Sequence, residues 1–254
     1  TSKFRWTSDF NIGFNRNRVT ELYGGKPELK GLKRLEEGRD MDEWYLREWA
    51  GVDPANGSPL WYTTDENGKR TTTDSYNKAD RVYCGSAAPK FTGGWMNSFS
   101  YKGFTLTANF DFVYGNLLYN QSRELLDSDG AYADYNSMKL KSGWKRWEKE
   151  GDIATHPKAI NGGNKNSNKS SSRYLEKGNY FSLRNLSLGY SIPEKLCGKL
   201  GLQRVNVSCS ADNLFTLTPF SGVSPQLSDS STDGYAGTIY PLSRRIVFGL
   251  NVSF

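Results

Sequence analysis

The sequence is poor in the residues on which metal sites, disulfide frameworks and many catalytic centres depend. It has one histidine, His156, and three cysteines, Cys84, Cys197 and Cys209, whose spacing matches no metal motif and whose odd number fits no disulfide framework. No Gly-rich phosphate loop follows a strand-like segment, and the carboxylates are too scattered to nominate a catalytic pair. We therefore predict no catalytic residue, no metal site and no cofactor, in a protein that is not an enzyme.

Long hydrophobic runs are also missing. No stretch approaches the ~18 consecutive apolar residues of a transmembrane helix, and the mean hydropathy is −0.68. Membrane strands remain possible, because their apolar residues alternate with polar ones. The net charge of +6 is spread along the chain. The basic segment 139–146 is predicted to be a solvated loop, and no nucleic-acid partner is expected, because no nucleic-acid motif accompanies it.

Aromatic residues and glycine are abundant: 14% of the residues are aromatic and 26 are Gly. Both suit β-structure, since aromatic rings fit a pleated surface and glycine marks its turns. The strongest pattern is alternation with a period of two. Between Phe104 and Phe112 every even residue is apolar and every odd residue is polar. The alternating runs approach the ~9–11 residues with which a tilted strand crosses a bilayer.

The alternation predicts an all-β fold of about eight antiparallel, up-and-down strands, at 3–19, 42–52, 58–64, 90–101, 104–114, 179–191, 203–216 and 243–254. Short connections at 53–57, 102–103 and 192–202 alternate with long polar ones at 20–41, 65–89, 115–178 and 217–242. Large outer-membrane barrels show this pattern, with short periplasmic turns and long extracellular loops. We further predict a helix near Leu117–Leu126 and a mobile, low-complexity stretch at 161–172.

Several segments resemble the C-terminal part of SusC/RagA-like TonB-dependent outer-membrane transporters. They read YFSLRNLSLGYSIPEKL (180–196), GLQRVNVSCSADNLFTLTPFSGVSP (201–225) and YPLSRRIVFGLNVSF (240–254). The family's order is a strand ending in LGY-x-IP, a helical turn, a strand ending in a DNLF-type motif, a P-x-x-G-x-x-P loop and a last strand ending in Phe. FRWTSDFNIGFNRNRVTEL (4–22) and GVDPANGSPLWY (51–62) also look like this family's barrel. Residues 221–225 depart from it, since the family commonly carries an acidic residue before that proline.

The resemblance implies that residues 1–254 are the C-terminal portion of a transporter barrel of about 22 strands, with the plug domain and the TonB box outside this chain. It implies a bacterial outer-membrane location and import of glycan oligomers or peptides. The implied partners are a SusD-like surface lipoprotein, TonB through the missing N-terminal part, the barrel-assembly machinery, which would recognise Phe254, and membrane lipids.

Two other interpretations fit the strand pattern. One is a secreted or surface carbohydrate-binding β-sandwich module, whose apolar strand faces would lie beneath a second sheet instead of meeting lipid. The other is a passive eight-stranded barrel, which requires its first and last strands to pair, because an open edge cannot sit in lipid.

Candidate functional residues fall into four groups. Polar strand residues are predicted to face the barrel lumen: Arg5, Asp9, Asn11, Asn109, Asp111, Arg204, Asn206, Asp212, Arg245 and Asn251, with Arg184 assignable to either face. Loop aromatics are predicted either to contact substrate or partner, or to pack their own loop: Tyr132, Tyr135, Trp144, Trp147, Tyr235 and Tyr240. An aromatic belt near strand ends is predicted for Trp6, Trp95, Tyr101, Tyr114, Tyr190 and Phe248. Asp127–Gly130 resembles the start of a calcium loop but lacks the downstream Glu, so a turn is predicted there.

Overall fold

The computed structural model describes residues 3–135, 137–226, 234–237 and 240–254. Its strands, in chain order, are β1 (Arg5–Gly13), β2 (Glu28–Lys30), β3 (Lys33–Leu35), β4 (Glu43–Arg47), β5 (Trp49–Val52), β6 (Pro59–Thr64), β7 (Arg70–Thr73), β8 (Arg81–Ser86), β9 (Phe91–Tyr101), β10 (Phe104–Tyr114), β11 (Leu117–Asn120), β12 (Leu175–Lys177), β13 (Tyr180–Ser191), β14 (Arg204–Leu217), β15 (Tyr235–Ala236) and β16 (Arg245–Ser253). The α-helices are α1 (Ser122–Leu126) and α2 (Glu194–Lys199), and single 3-10 turns lie at Tyr23–Gly25, Tyr76–Lys78 and Ser172–Tyr174. Within these residues, no helix combines the length and the apolarity needed to cross a membrane.

The largest sheet, here called the wall sheet, has six strands in the order β1-β9-β10-β13-β14-β16. Every pair in it is antiparallel, so the chain runs up and down through successive neighbours. The predicted strands at 90–101, 104–114, 179–191, 203–216 and 243–254 all lie in this sheet, within two residues of their predicted ends. The strand predicted at 3–19 ends earlier, at Gly13. The predicted antiparallel all-β class is confirmed.

The predicted strands at 42–52 and 58–64 form, but their assignment to the barrel wall is wrong. They become β4, β5 and β6, which pair in two smaller sheets with β3, β7 and β8. The 53–57 turn therefore joins β5 to β6 and is not a periplasmic turn, and the described wall has six strands rather than eight. Alternation led to this error because it shows only that one face of a strand is buried, and not whether lipid or protein covers that face. In β4 and β6, protein covers the buried side chains of Trp44, Leu46 and Trp61.

Short and long connections occupy opposite ends of the wall sheet. Lys102 and Gly103 join β9 to β10 with φ angles of 46° and 86°, the left-handed pair that suits a two-residue hairpin. Residues 192–203, which contain α2, join β13 to β14. The long connections are 14–90, 115–179 and 218–244, so short and long connections do alternate along the wall, but the predicted connections at 20–41, 53–57 and 65–89 all fall within the first long one. Of the last one, residues 227–233 and 238–239 lie outside the described residues.

The long connections fold together into one compact unit, here called the loop lobe: residues 14–90, 115–179 and the described part of 218–244. Its core contains Trp44, Leu46, Ala87, Tyr119 and Tyr174. β11 pairs with β12 from the same connection and with β15 from the next. The main hydrophobic core therefore lies in the loop lobe and not between layers of the wall.

Two local predictions in the loop lobe are wrong. The stretch 161–172, predicted to be mobile, is packed, with Asn164, Ser167 and Ser171 buried. The Asn164 amide donates to the carbonyls of Gly57 and Lys158 at 3.1 and 2.9 Å, so part of the polarity of this stretch serves internal hydrogen bonds. The helix predicted over 117–126 forms only from residue 122, because 117–120 pairs as β11.

Candidate functional site

One face of the wall sheet is apolar and uncovered. Phe104, Ile246 and Phe248 are 51, 61 and 80% exposed, so no second layer of the described residues covers them. Phe110 is half-buried between rings on its own face, with Trp95 at 5.7 Å and Phe181 at 5.2 Å. A sandwich module would bury this face under an opposing sheet, and none is present among the described residues. Lipid is the medium that such a surface suits.

Two polar side chains on the apolar face are paired with indoles. Ser8 and Asn97 lie opposite each other between β1 and β9. Trp6 Nε1 donates to Asn97 Oδ1 at 3.1 Å, and Trp95 Nε1 donates to Ser8 Oγ at 2.9 Å. The indoles satisfy polar atoms that an apolar solvent would leave unpaired. The apolar face therefore stays apolar at Ser8 and Asn97, the two positions where polar residues interrupt the alternation.

Four of the six residues of the predicted aromatic belt lie at or near strand ends. Tyr101 and Tyr190 lie at the short-connection end, where Tyr190 packs on Phe104 at a centroid distance of 4.3 Å. Trp6 is near the same end, and Tyr114 lies at the long-connection end. Trp95 and Phe248, by contrast, occupy the middles of β9 and β16. The belt assignment is wrong for these two, because they belong to the central apolar stripe.

The opposite face of the wall sheet is polar and carries the predicted lumen candidates. Strand register places Asp9, Met96, Asn109, Asn185, Asp212 and Arg245 in one row across the six strands. Arg245 Nη2 lies 2.7 Å from Asp212 Oδ2, and Asn185 Nδ2 donates to Asp212 Oδ1 at 2.7 Å. Strand parity puts the other candidates on the same face: Arg5, Asn11, Asp111, Arg204, Asn206 and Asn251.

A β-bulge settles the side taken by Arg184. The register of β13 shifts between Leu183 and Asn185, which breaks the period of two in the sequence. The Arg184 guanidinium lies 3.4 Å from the Asp111 carboxylate, on the polar face. The slipped alternation of this strand is therefore the signature of the bulge.

Sequence reasoning missed a buried ion-pair cluster inside the loop lobe. Asp127 and Asp129 are 1 and 2% exposed. Arg173 and Arg146 contact the Asp129 carboxylate at 2.5 and 2.7 Å, while Arg123 and His156 contact Asp127 at 3.0 and 2.9 Å. The predicted turn is confirmed, with φ of 52° at Asp129 and 91° at Gly130. Only the Arg123–Asp127 pair is local, at a spacing of four residues, whereas the Asp129 partners lie 17 and 44 residues away and could not be found from spacing.

The electrostatics of this cluster favour the ionised form of Asp127. Burial acts to raise the pKa of Asp127, but the hydrogen bond to His156 and the positive charge of Arg173 outweigh burial and lower that pKa. Burial acts to lower the pKa of Arg173, and its neighbours Tyr174 and Asp129 raise it instead. In the described residues, no group of three His, Cys, Asp or Glu side chains could hold a metal ion. The arrangement can brace loops, and it offers no open coordination site.

Three of the predicted loop aromatics pack the lobe itself. Trp147 is buried and its Nε1 donates to the Pro54 carbonyl at 2.9 Å. Tyr235 packs edge-on against Trp44 at 5.1 Å, and its hydroxyl accepts from the Leu32 amide at 3.1 Å. Trp144 lies beside His156, with a centroid distance of 5.0 Å. Their placement favours the second of the predicted roles, packing within the loop.

The other three loop aromatics are exposed. Tyr132 and Tyr135 are 42 and 55% exposed with ring centroids 5.4 Å apart, and Tyr240 is 94% exposed. Tyr132 also lines a polar cleft of about 490 Å³ together with Tyr76, Glu124, Asn166 and Lys169. This combination of rings, amide, carboxylate and ammonium could hold a polar oligomer. Sequence reasoning missed Tyr76 and Asn166, because the topology alone brings them to Tyr132.

The fold defines a class of protein. A sheet of long antiparallel strands with an uncovered aromatic face, a polar face and long connections gathered at one end is the wall of an outer-membrane barrel. The chain is similar to TonB-dependent receptor P3 of Formosa agariphila, with 28% identity over 99% of this chain and 27% of the receptor. It is equally similar to TonB-dependent receptor P39 of that organism, with 28% identity over 99% of this chain and 29% of the receptor. No family model matches.

Solved structures give the same result. The RagAB peptide transporter superposes with a TM-score of 0.83 at 26% identity, over all of this chain and 28% of that one. The closed–closed state of the RagAB peptide importer gives 0.81 at 27% identity, over 100% and 28% of the two chains. The predicted resemblance to a C-terminal part of SusC/RagA-like TonB-dependent transporters is confirmed, as is the outer-membrane location. The chain spans less than a third of the length of these relatives.

Proposed function

We propose that this chain supplies barrel wall and extracellular loops to an outer-membrane TonB-dependent importer of oligomeric nutrients, either glycan oligomers or peptides. The carrying observation is the two-faced wall sheet, whose aromatic face has no covering layer among the described residues while its other face is polar. The similarity to TonB-dependent receptors and to a peptide transporter supports the same role. We assign no catalytic step to the chain, because its relatives are receptors and transporters.

The polar face of the wall sheet is proposed to line the lumen. Its ion pairs, Asp212 with Arg245 and Asp111 with Arg184, are partly exposed. Exposed ion pairs contribute only ~0–1 kcal/mol to stability. The charges of these pairs are therefore proposed to contact water in the channel or an adjacent plug domain. The plug and the TonB-contacting segment are proposed to belong to other parts of the protein.

The loop lobe is proposed to form the outer mouth of the importer and to meet a SusD-like lipoprotein. Residues 14–90 and 115–179 share one core, so the lobe presents a fixed surface rather than independent loops. Tyr132 and Tyr135, beside the polar cleft, are the proposed substrate or partner contacts, as is Tyr240. Phe254, 84% exposed just beyond β16, is the proposed recognition residue for the barrel-assembly machinery.

The test is uptake by cells that depend on the full-length receptor for a labelled oligosaccharide or oligopeptide pool. Tyr132→Ala with Tyr135→Ala should reduce uptake about 25-fold, since contact with one aromatic ring is worth on the order of 1 kcal/mol, or about fivefold. The control is Tyr23→Ala, a fully exposed tyrosine of the lobe outside the cleft. Unchanged uptake of both pools in the double variant would remove these residues from the proposal, and no uptake by the unaltered receptor would remove the importer function.

A further inference from the structure

A crevice of about 810 Å³ lies where the loop lobe meets the wall sheet. It is lined by residues of three segments that leave or enter wall strands, at 14–17 after β1, 85–91 before β9 and 115–117 after β10, and by Asp40. It therefore opens at the long-connection end of the sheet. None of the predicted candidate residues lines it.

The floor of the crevice is aromatic and continues the apolar face of the wall. Phe14 and Phe91 lie 5.9 Å apart, centroid to centroid. Phe91 stacks on Tyr114 at 5.0 Å and meets Phe112 edge-on at 6.3 Å. Phe14 is 72% exposed. An acyl chain lying along the wall would reach this floor without crossing a polar surface.

Two cationic side chains, Arg16 and Lys90, also line the crevice. Arg16 and Lys90 are both exposed, and neither forms an ion pair with another described residue. The aliphatic stem of Lys90 lies over Gly115, where a Cβ atom would come within 2.6 Å of Lys90 Cγ. The missing side chain at Gly115 thus lets Lys90 lie along the end of β10.

Asp40 is the acidic residue among the lining side chains, and its carboxylate is already engaged. Its Oδ2 accepts from Ser86 Oγ at 2.8 Å, and its Oδ1 accepts from the Asp42 amide at 2.8 Å. These bonds hold Asp40 within the loop lobe. Arg16 and Lys90 are therefore available to bind a ligand, whereas the Asp40 carboxylate is occupied by hydrogen bonds within the lobe.

We propose that this crevice binds the phosphate group of a bilayer lipid, with Arg16 and Lys90 on the phosphate and the acyl chains along Phe14 and Phe91. Cations that share a crevice with an apolar, aromatic surface match a phospholipid or phosphorylated glycolipid, whose anionic group sits at the edge of its hydrocarbon. The end of the wall strands is the level at which headgroups lie. The proposal rests on the lipid-facing assignment of the wall and is independent of what the importer carries.

The experiment is native mass spectrometry of the full-length receptor in detergent, titrated with bis-phosphorylated lipid A. One basic side chain near an anionic membrane surface is worth about 1 kcal/mol, or about fivefold in affinity. Arg16→Gln with Lys90→Gln should therefore weaken lipid binding about 25-fold. The matched control is Lys26→Gln with Lys30→Gln, two exposed lobe cations that do not line the crevice, and it should bind as the unaltered receptor does.

Further arms separate the possible outcomes. A phosphate-free lipid A analogue should bind about as weakly as lipid A does to the double variant, and Phe14→Ser should also weaken binding. Inorganic phosphate at millimolar concentration should not displace the lipid. Three results would each overturn the site. The Arg16/Lys90 variant could bind lipid A as tightly as the unaltered receptor, the phosphate-free lipid could bind as tightly as lipid A, or inorganic phosphate could displace the bound lipid. Lipid binding is measured without TonB. A receptor that binds no lipid would therefore leave the importer proposal intact, and a receptor that imports no substrate would leave the lipid-binding result intact.

Discussion

Arg173 and Asp129 form a two-pronged ion pair inside the loop lobe. Arg173 Nη1 donates to Asp129 Oδ2 at 2.5 Å, and Nη2 donates to Oδ1 at 3.1 Å. Their side chains are 2 and 0% exposed. Ser167 Oγ donates to the same carboxylate at 2.7 Å. One buried carboxylate thereby fixes the polar stretch at 161–172 against the turn at Asp129.

Asp129→Ala should destabilise the loop lobe strongly. Removing one partner of a buried ion pair leaves the other charge uncompensated, which costs about 3–5 kcal/mol. We expect amide hydrogen exchange of the lobe peptides in the full-length receptor to rise accordingly, while the wall strands keep their protection. The matched control is Asp74→Ala, whose partner Lys165 is about half exposed. That change should alter lobe stability by no more than ~1 kcal/mol. Equal effects of the two substitutions would contradict the role of burial.

The loop lobe should lose stability in acid through Asp127. Its pKa in the folded lobe is lowered, against burial, by the His156 hydrogen bond and by Arg173, whereas an unfolded Asp titrates near ~3.9. The stabilisation is therefore full above pH ~4 and is lost as the pH falls further toward the folded pKa. Opening free energies from hydrogen exchange, corrected for intrinsic rates, should be level from neutral pH to pH ~4 and should decline below it. Asp127→Asn should lower the stability of the lobe at neutral pH and should make the decline in acid smaller. If the decline is unchanged in this variant, groups other than Asp127 cause it.

An arginine should be tolerated on one face of β16 and not on the other. Phe248 lies on the apolar face, and Val247 lies beside it on the polar face. Arginine facing lipid near the bilayer midplane costs about 2–4 kcal/mol. In urea unfolding of the full-length receptor in lipid vesicles, Phe248→Arg should show that loss and Val247→Arg much less. Equal losses would contradict a lipid-facing Phe248.

Cysteine labelling should separate the two faces in the same strand. Asn251→Cys, on the polar face, should react with a charged thiol reagent in membranes, whereas Leu250→Cys should not. Background labelling should be low: burial raises the pKa of Cys84 to about 11, and Cys197 is buried. Cys209 lies on the apolar face opposite Phe248 and serves as an internal unreactive position. Labelling of Leu250→Cys as fast as Asn251→Cys would contradict the assignment of faces.

Alternation along the chain was enough to place most of the wall. The residues of β10 and β16 keep strict parity, so their facing could be predicted, and both predicted faces are present. Strand parity is a local property, set by neighbouring residues alone. The same information could not distinguish lipid from protein as the cover of an apolar face, which is why β4 and β6 were assigned to the wall.

The loop lobe was beyond sequence reasoning because its contacts are distant along the chain. Tyr76 reaches the cleft of Tyr132, and Asn164 bonds the Gly57 carbonyl 107 residues away. A polar, low-complexity composition predicts disorder only when its amides and hydroxyls lack internal partners. In 161–172 those partners are supplied by segments that the pattern of the sequence does not link to it.

The parallel pairing of β11 with β15 joins two segments that lie far apart along the chain. Tyr119 lies opposite Tyr235 in that pair, and β13 and β14 of the wall are both traversed between them. Closing so long a segment early is entropically unfavourable. The outer mouth should consequently be completed late, after β13 and β14 have been laid down, so that a receptor stalled during insertion would expose an unfinished rim.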